Sequence, residues 1–326
     1  MPSVACIIVN YNAADLVLQA LPAVLADLRA LSGSHLFLVD NASPEGDAAR
    51  LRPVLDAEED ATLIAHHAND GFAAGNNVGF AAMEAREAES GVRFDYVFLL
   101  NPDAWPEPGA TAALVAFAEA KPDASLFGPR ITEANGEPHW SAYTFPSVAG
   151  DLEARCAFGL VTAALSPWRV AKPPRAESHE TDWLSGAALL LRRDVVETLG
   201  PMDEGYFLYF EETDYQLAAH RAGCAAWYVP EARFVHLQGQ STGLVARPAE
   251  RPPLPDYWFR SRRRYFEKNH GAAYADRADR AWLWGSRLFL AKQKLLGRSD
   301  HGRADAIERF LANRGRTGQG RPGEPA

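Results

Sequence analysis

"FLLNPDAW", residues 98–105, carries a buried-looking apolar run into Asn101-Pro102-Asp103, and the meaning of that ending decides the fold. A strand that closes on a carboxylate is either a simple turn or a place where a metal and a phosphate are held. Asn-Pro-Asp is good turn chemistry by itself. A carboxylate that follows proline is also held on a stiff backbone rather than on a free loop. Magnesium and manganese need only one or two carboxylates when phosphate oxygens complete the shell, so a single aspartate suffices beside a diphosphate.

Outward from this stretch, "VACIIVN" (Val4–Asn10), "HLFLVD" (His35–Asp40), "TLIAHH" (62–67) and "YVFLLN" (96–101) are short, β-branched or aromatic, and end in polar residues. Helical patterns separate them at residues 15–31, 47–57 and 72–89. This alternation predicts an α/β fold, a parallel sheet covered on both faces by right-handed crossovers. In such sheets the ligand lies at the carboxyl ends of the strands. Those ends carry Asn10-Tyr11-Asn12, Asp40-Asn41-Ala42-Ser43, Asn69-Asp70-Gly71 and Asn101-Pro102-Asp103, four polar groups that converge on one rim.

The second half is less regular. Pro and Gly clusters over residues 129–182 predict loops and short helices. "WLSGAALLLRRDVVETLG" reads as a buried strand entering a helix, and "MDEGYFLYFEETDYQLAAHRAG" as an aromatic approach to a helix that stops at Gly223. "AAWYV" and "FVHL" read as two further short strands. After the linker "RPAERPPLP" the pattern is helical and basic, and the last dozen residues are expected to be disordered.

Composition sets the bounds. With 326 residues, 47% hydrophobic and 23% charged, the chain suits one sizeable α/β domain with an appendage, not a disordered or collagen-like protein. Residues 1–246 hold 15 Lys+Arg against 33 Asp+Glu, whereas 247–326 hold 18 against 9, so the basic end calls for an anionic neighbour, nucleic acid or membrane. Cys6, Cys156 and Cys224 suit neither a disulfide framework nor a zinc site, which points to a reducing, cytoplasmic compartment. "MPSVACIIVNYN" has no signal-peptide pattern, so the mature chain is expected to start at or near Met1. No run reaches the roughly 18–20 apolar residues that a spanning helix needs.

Several residues admit two readings. Asp40 is either a turn residue bonding its own backbone or an acceptor for a base N–H or a ribose hydroxyl. "NDGFAAGNNVGF" is neither a Walker loop nor a dinucleotide fingerprint. Its Gly71, Gly75 and Gly79 make one smooth helix face, either for packing on the sheet or for close approach of a ligand to which Asn76 or Asn77 donates. "YFEETD", residues 209–214, puts three acids at a helix start, where the dipole favours them. The apolar residues before it would also bury them and raise their pKa toward the range of a general base. Glu211 and Glu212 lie about a quarter-turn apart, free to face different partners. His236 gains interest as a metal ligand only if Asp103 is near it.

Taken in order, "VNYN", "VDNAS", "NDGFAAGNN", "LLNPDAW", "WLSGAALLLRRDV", "GYFLYFEETDYQLAAHRAG" and "FVHLQGQS" resemble the family-two inverting glycosyltransferases, particularly their rhamnosyltransferase-like branch. The match covers residues 4–241, and "RSRRRYFEKNHG", 260–271, resembles the same branch. Each motif alone is weak; seven in one order are specific. The resemblance implies a GT-A fold, a doubly wound, mostly parallel sheet flanked by helices. Residues 1–103 would form its nucleotide-binding half, 104–246 its acceptor half, and 247–326 a basic helical extension with a disordered tail.

The resemblance also implies a site. Asn10, Tyr11, Asn12, Asp40, Asn41, Gly71, Asn76, Asn77, Asn101 and Asp103 would face the nucleotide-sugar, with Asp40 on the base or ribose. Asp103 and His236 would bind Mg2+ or Mn2+, Asn101 standing where the DxD-type motif has its first acid. Glu212 would be the catalytic base, usually an aspartate, with Glu211 beside it; Trp183, Ser185, Gly186 and Asp214 would lie on the acceptor side. Ala218 replaces an arginine that often partners the motif's last acid, here Asp214, and Arg221 is the expected substitute. The implied donor is a dTDP, UDP or GDP sugar, dTDP-rhamnose first. The implied acceptor is a hydroxyl on a cell-envelope polysaccharide or lipid-linked glycan, with no role for nucleic acid. "WLWGSRLFLAKQKLLGR", residues 282–298, reads either as an interfacial helix docking on an anionic membrane face or as a helix packed on the catalytic domain. Two other classes compete, a sugar nucleotidyltransferase and a nucleic-acid-binding protein. The first lacks a Gly-rich basic loop for a triphosphate, and the second fits poorly with an acidic body.

Overall fold

A strand buried on both faces reads as an unbroken apolar run. Three of the four N-terminal strands are of this kind, buried at every position, while the third lies partly exposed at the edge. The computed structural model describes residues 2–237 and 253–317. Its strands are β1 (Val4–Asn10), β2 (His35–Asp40), β3 (Ala61–Ala65), β4 (Tyr96–Leu100), β5 (Ala104–Pro106) and β6 (Ala124–Thr132), followed by β7 (Pro138–His139), β8 (Ala142–Tyr143), β9 (His179–Thr181), β10 (Trp183–Leu184), β11 (Ala188–Arg192) and β12 (Ala225–His236). The helices are α1 (Ala14–Arg29), α2 (Asp47–Leu55), α3 (Phe72–Ser90), α4 (Ala110–Ala120), α5 (Val148–Cys156) and α6 (Gly159–Leu165), then α7 (Arg193–Leu199), α8 (Glu211–Arg221), α9 (Asp256–His270), α10 (Ala272–Leu295) and α11 (His301–Asn313).

The main sheet runs β3-β2-β1-β4-β11-β6-β12-β5. β1 to β4 are mutually parallel where they pair, β11 is antiparallel to both β4 and β6, and β12 is parallel to β6. The direction of winding reverses between β1 and β4, which opens a crevice at their carboxyl ends. One face of the sheet buries α1, α2 and α4, and the other buries α3, α7 and α8.

The glycine run of α3 finds its reason here. A Cβ at Gly75 would sit 2.5 Å from Val9 Cγ1, and one at Gly79 would sit 2.4 Å from Ile7 Cγ2, so α3 lies directly on β1. Gly71 is different: its φ is +100°, and a Cβ there would stand 2.2 Å from the Phe207 carbonyl oxygen. Phe72 N–H donates to that same oxygen at 2.9 Å, which pins the start of α3 to the approach of α8.

Two sequence expectations change. "AAWYV" and "FVHL" are one strand, β12, whose register on β6 shifts between Val229 and Arg233. β6 itself crosses the sheet through residues 129–132, part of the stretch expected to be loops. Gly128 and Pro129 look like breakers, but a Cβ at Gly128 would meet Leu184 Cδ2 at 2.7 Å, and Pro129 stands at the register shift.

The basic run of the C-terminal extension is used internally. α9 and α10 turn back on each other at Gly271, and Arg262 and Arg263 reach Asp279 at 2.7 and 2.9 Å. Arg264 and Lys268 both bind Asp203 at 2.8 Å. The first anionic neighbour of the basic end is therefore the acidic body of the same chain. The expected boundary at 246/247 and the expected disordered tail fall largely or wholly outside the described residues.

Alanine is the better helix former by about 1 kcal/mol, whereas overpacking a closed interface costs about 1–3 kcal/mol. The double substitution Gly75→Ala, Gly79→Ala is therefore expected to lower the urea midpoint. A raised midpoint would show that Ile7 and Val9 move aside.

Candidate active site

The crevice at the reversal of winding holds a cavity of about 360 Å³. β1 contributes Val9 and the following Tyr11, β2 is followed by Asn41, and β4 by Asn101 and Pro102. The opposite wall is Ser185-Gly186-Ala187 with Glu211 and Glu212 from α8. His236, at the end of β12, and Tyr257, in the first turn of α9, complete it.

Under the rim at the ends of β1 and β2 lies a buried polar network. Asn10 Nδ2 donates to Asp40 Oδ1 at 2.7 Å and to Asp47 Oδ2 at 3.0 Å. Ser43 Oγ donates to Asp40 Oδ1 at 2.6 Å, and Ser43 N–H to Asp40 Oδ2 at 3.2 Å. Asp40 thus takes the turn role of its two readings and lies behind the cavity wall. Asn41 faces the cavity instead: its Nδ2 donates to Asn69 Oδ1 and Gly71 O, and its buried Oδ1 has no hydrogen-bond partner among the described residues. Asn12, at φ +51°, donates its backbone N–H to Ser43 Oγ and helps fold the rim without lining it.

Asp103 and His236 do meet. β12 pairs antiparallel with β5, placing His236 opposite Ala104, and Leu237 N–H bonds the Asp103 carbonyl at 3.0 Å. His236 Nε2 stands 3.0 Å from Asp103 Oδ1, yet the approach is not directed as a hydrogen bond, and among the described residues both buried Asp103 oxygens lack a hydrogen-bond partner. An orphaned buried carboxylate beside an imidazole nitrogen is an O/N donor pair that fits a divalent metal. Among the described residues no group of three His, Cys, Asp or Glu stands ready for a metal, so other oxygens must complete the shell. His139, on β7, lies close enough for His236 to add to the burial that pushes its pKa down to about 4. Sequence reading passes over it.

Glu211 and Glu212 turn into the same cavity rather than toward different partners. Tyr209 and Phe210, just before α8, both have φ +69°. Bulky residues avoid this conformation, at about 1–3 kcal/mol each. Here Tyr209 stacks on Tyr257 at 6.0 Å, and Phe210 packs on Trp258 and Tyr265 at 5.7 Å. Gly186 then makes the room, since a Cβ there would be 3.2 Å from Glu212 Cγ. Burial raises both carboxyl pKa values, that of Glu211 furthest; Glu212 beside it adds repulsion and takes a hydrogen bond from protonated Glu211.

A carboxylate pair raised toward neutrality and an Asp-His pair at one crevice are the parts of a group-transfer site. The family model described as "Glycosyl transferase family 2" matches residues 5–200. The chain belongs to glycosyl transferase family 2. Its sequence is 31% identical, over 64% of this chain and 68% of the relative, to N-acetylglucosaminyl-diphospho-decaprenol L-rhamnosyltransferase of Mycobacterium tuberculosis. It is 27% identical, over 51% and 60%, to rhamnosyltransferase WbbL of Escherichia coli K12. Among solved structures it is similar to mannosyltransferase PcManGT of Pyrobaculum calidifontis in complex with GDP-Man and Mn2+, with TM-score 0.55, 16% identity, and 95% and 80% of the two chains covered. It is also similar to GalNAc-T7 with UDP, GalNAc and Mn2+, with TM-score 0.58, 13% identity, and 96% and 58% covered. The fold is GT-A, and the nucleotidyltransferase and nucleic-acid readings lose their support.

In this glycosyltransferase several expected site residues serve the scaffold. Asn76 Nδ2 donates to Phe72 O within its own helix. Asn77 is held by Met202 N and O and by Glu204. Trp183 donates to Thr144 O and stacks on Tyr143, away from the cavity lining. Asp214 is bound by Lys268 and Asn269, both at 2.6 Å, so its partners come from α9; Arg221 instead binds Asn269. The buried Gln216 carries no local sequence signal: its amide pairs with both Leu184 N–H and Leu184 O, at 2.9 and 2.8 Å, and so ties the Gly186 wall to α8.

Gln216→Ala strands two buried backbone groups at about 1–3 kcal/mol each, and chemical denaturation should register a combined loss of about 2–6 kcal/mol. A second expectation concerns pH. The folded chain keeps Glu211 protonated where the unfolded chain, with a carboxyl pKa of about 4.3, has released the proton. Stability therefore falls as pH rises from there through the raised pKa. Glu211→Gln, which mimics the protonated acid, should flatten this decline in melts taken from about pH 4 to pH 8.

Proposed function

We propose that this glycosyltransferase inverts the anomeric centre as it moves a sugar, rhamnose first, from a nucleoside diphosphate to a hydroxyl of a lipid-linked or cell-envelope glycan. The observation that carries the reading is that two acids on α8 and His236 at the end of β12 line one cavity, with Asp103, just before β5, lying against His236 behind it. The names of the M. tuberculosis and E. coli relatives support rhamnose, and the first supports an acceptor carried on a polyprenyl diphosphate.

Tyr11, 40% exposed on the rim, offers a face on which a base stacks. Asn41 Oδ1, without a hydrogen-bond partner among the described residues, accepts an imide N–H, which thymine and uracil both present. Asp103 and His236 would hold Mg2+ or Mn2+, which supplies neutralisation of the charge growing on the departing diphosphate. Glu212 takes the proton from the acceptor hydroxyl as that oxygen attacks opposite the leaving group, so configuration inverts. Glu211 keeps its own proton and holds the Glu212 carboxylate by hydrogen bond. A lipid-carried acceptor has to be met at a bilayer, so the reading includes peripheral attachment to an anionic membrane face.

The test is a thermal-shift panel of dTDP, UDP and GDP, each with manganese or EDTA. Metal-dependent stabilisation by one nucleotide, lost in Asp103→Ala, is expected; no stabilisation by any of them overturns the reading. Glu212→Gln should keep the nucleotide response and lose about 10²–10⁴-fold in turnover.

A further inference from the structure

Helix α10 has two unlike sides. Its inner side is core: Trp282 is fully buried and stacks on Phe310 at 4.5 Å, and Gly285 lies so close to α5 that a Cβ would be 2.7 Å from Arg155 Cβ. Its outer side carries Trp284, Leu288 and Leu295, exposed by 60%, 45% and 88%. At about 100° per residue these three fall within one narrow stripe. Arg280, Arg287 and Lys294 are exposed along the flank of that stripe, and Arg298 follows just past the helix end. Among the described residues none of these four cations makes an ion pair, in contrast to Arg262, Arg263 and Arg264 on α9. The one exposed acid of the helix, Asp276, is bound by Arg263 at 2.7 Å.

We propose that this outer stripe of α10 is the surface by which the protein docks on anionic phospholipid; the proposal rests on the lipid-linked acceptor read above. Charge decides the partner and the face together. The whole chain carries a net charge of −9 and is repelled by an anionic bilayer. Binding there needs a local cationic face with apolar side chains to insert, and α10 has both. A nucleic-acid partner would use the cations but leave Trp284, Leu288 and Leu295 in water. Leu160, 90% exposed, stands as a further apolar prong beside the end of α10, where Lys292 lies over Phe158 at 4.8 Å. The stripe also relates to the cavity. α9 and α10 are antiparallel, and Phe259 meets Trp282 at 5.9 Å, so Trp284 lies near the level of α9 at which Tyr257 enters the cavity.

The experiment is co-sedimentation of the full chain with phosphatidylcholine vesicles, with and without phosphatidylglycerol, at low and high salt. Binding to the anionic vesicles alone, weakened by salt, is expected. Trp284→Glu with Leu288→Glu, and separately Arg287→Glu with Lys294→Glu, should each lower the bound fraction about tenfold or more. Arg50→Glu, on an exposed cation of α2, should leave it unchanged. Each variant is also melted with dTDP and manganese, so that nucleotide binding is scored apart from docking. Retained nucleotide response with no vesicle binding by the wild type overturns the docking proposal and leaves the transferase reading standing. Equal binding to neutral vesicles, unchanged binding by the variants, RNA retention without vesicle binding, or a dimer broken by Trp284→Glu with no effect on vesicles would each overturn it.

Discussion

The close seat of α3 on β1 is the constraint from which the site follows. With no side chain at Gly75 or Gly79, the helix comes down onto Val9 and Ile7, and Gly71 is carried against the backbone of Phe207. That contact joins the parallel half of the sheet to the approach of α8. The cavity is the gap left between them, with the ends of β1 and β4 on one side and the acids of α8 on the other. A larger residue at any of these glycines would push the two walls apart.

The strain at Tyr209 and Phe210 belongs to the same arrangement. Two bulky residues hold left-handed backbone because their rings are trapped between α8 and α9, against Tyr257, Trp258 and Tyr265. The C-terminal extension is therefore a structural part of the cavity wall, although the family match ends at residue 200, before it. Its arginines and Lys268 neutralise acids that would otherwise crowd the region, Asp203, Asp214 and Asp279 among them. Glu211 and Glu212 are left unneutralised. They are buried side by side, and among the described residues neither forms an ion pair; burial, with Glu212 repelling from beside it, keeps the proton on Glu211.

Much of the fold was legible in the chain. The four N-terminal strands and three intervening helices appear within a few residues of their expected bounds, because runs such as "VACIIVN" and "YVFLL" have no other stable place than a sheet covered on both faces. β6 was missed because Gly128 and Pro129 are locally strand-breaking, and only the neighbouring Leu184 and the register shift on β12 explain them. Among site residues, Tyr11, Asn41, Gly71, Asn101, Ser185, Gly186, Glu211, Glu212 and His236 reach the cavity, and Asp103 lies against His236 behind it. Asn76, Asn77, Trp183 and Asp214 do not, since each finds its hydrogen-bond partners within the protein.

By itself the sequence determined which strands form, that their polar ends share a rim, and which acids could do chemistry there. These are properties of local patterning and of residue type, and they survive without knowledge of any distant contact. The tertiary structure alone decided how the carboxylates divide their work. Asp40 is enclosed by Asn10 and Ser43, Asp214 by Lys268 and Asn269, and Asp103 is left with His236. The role of a buried acid depends on which groups surround it, and apart from Ser43 those groups come from segments tens to more than a hundred residues away, brought together only when the sheet is complete.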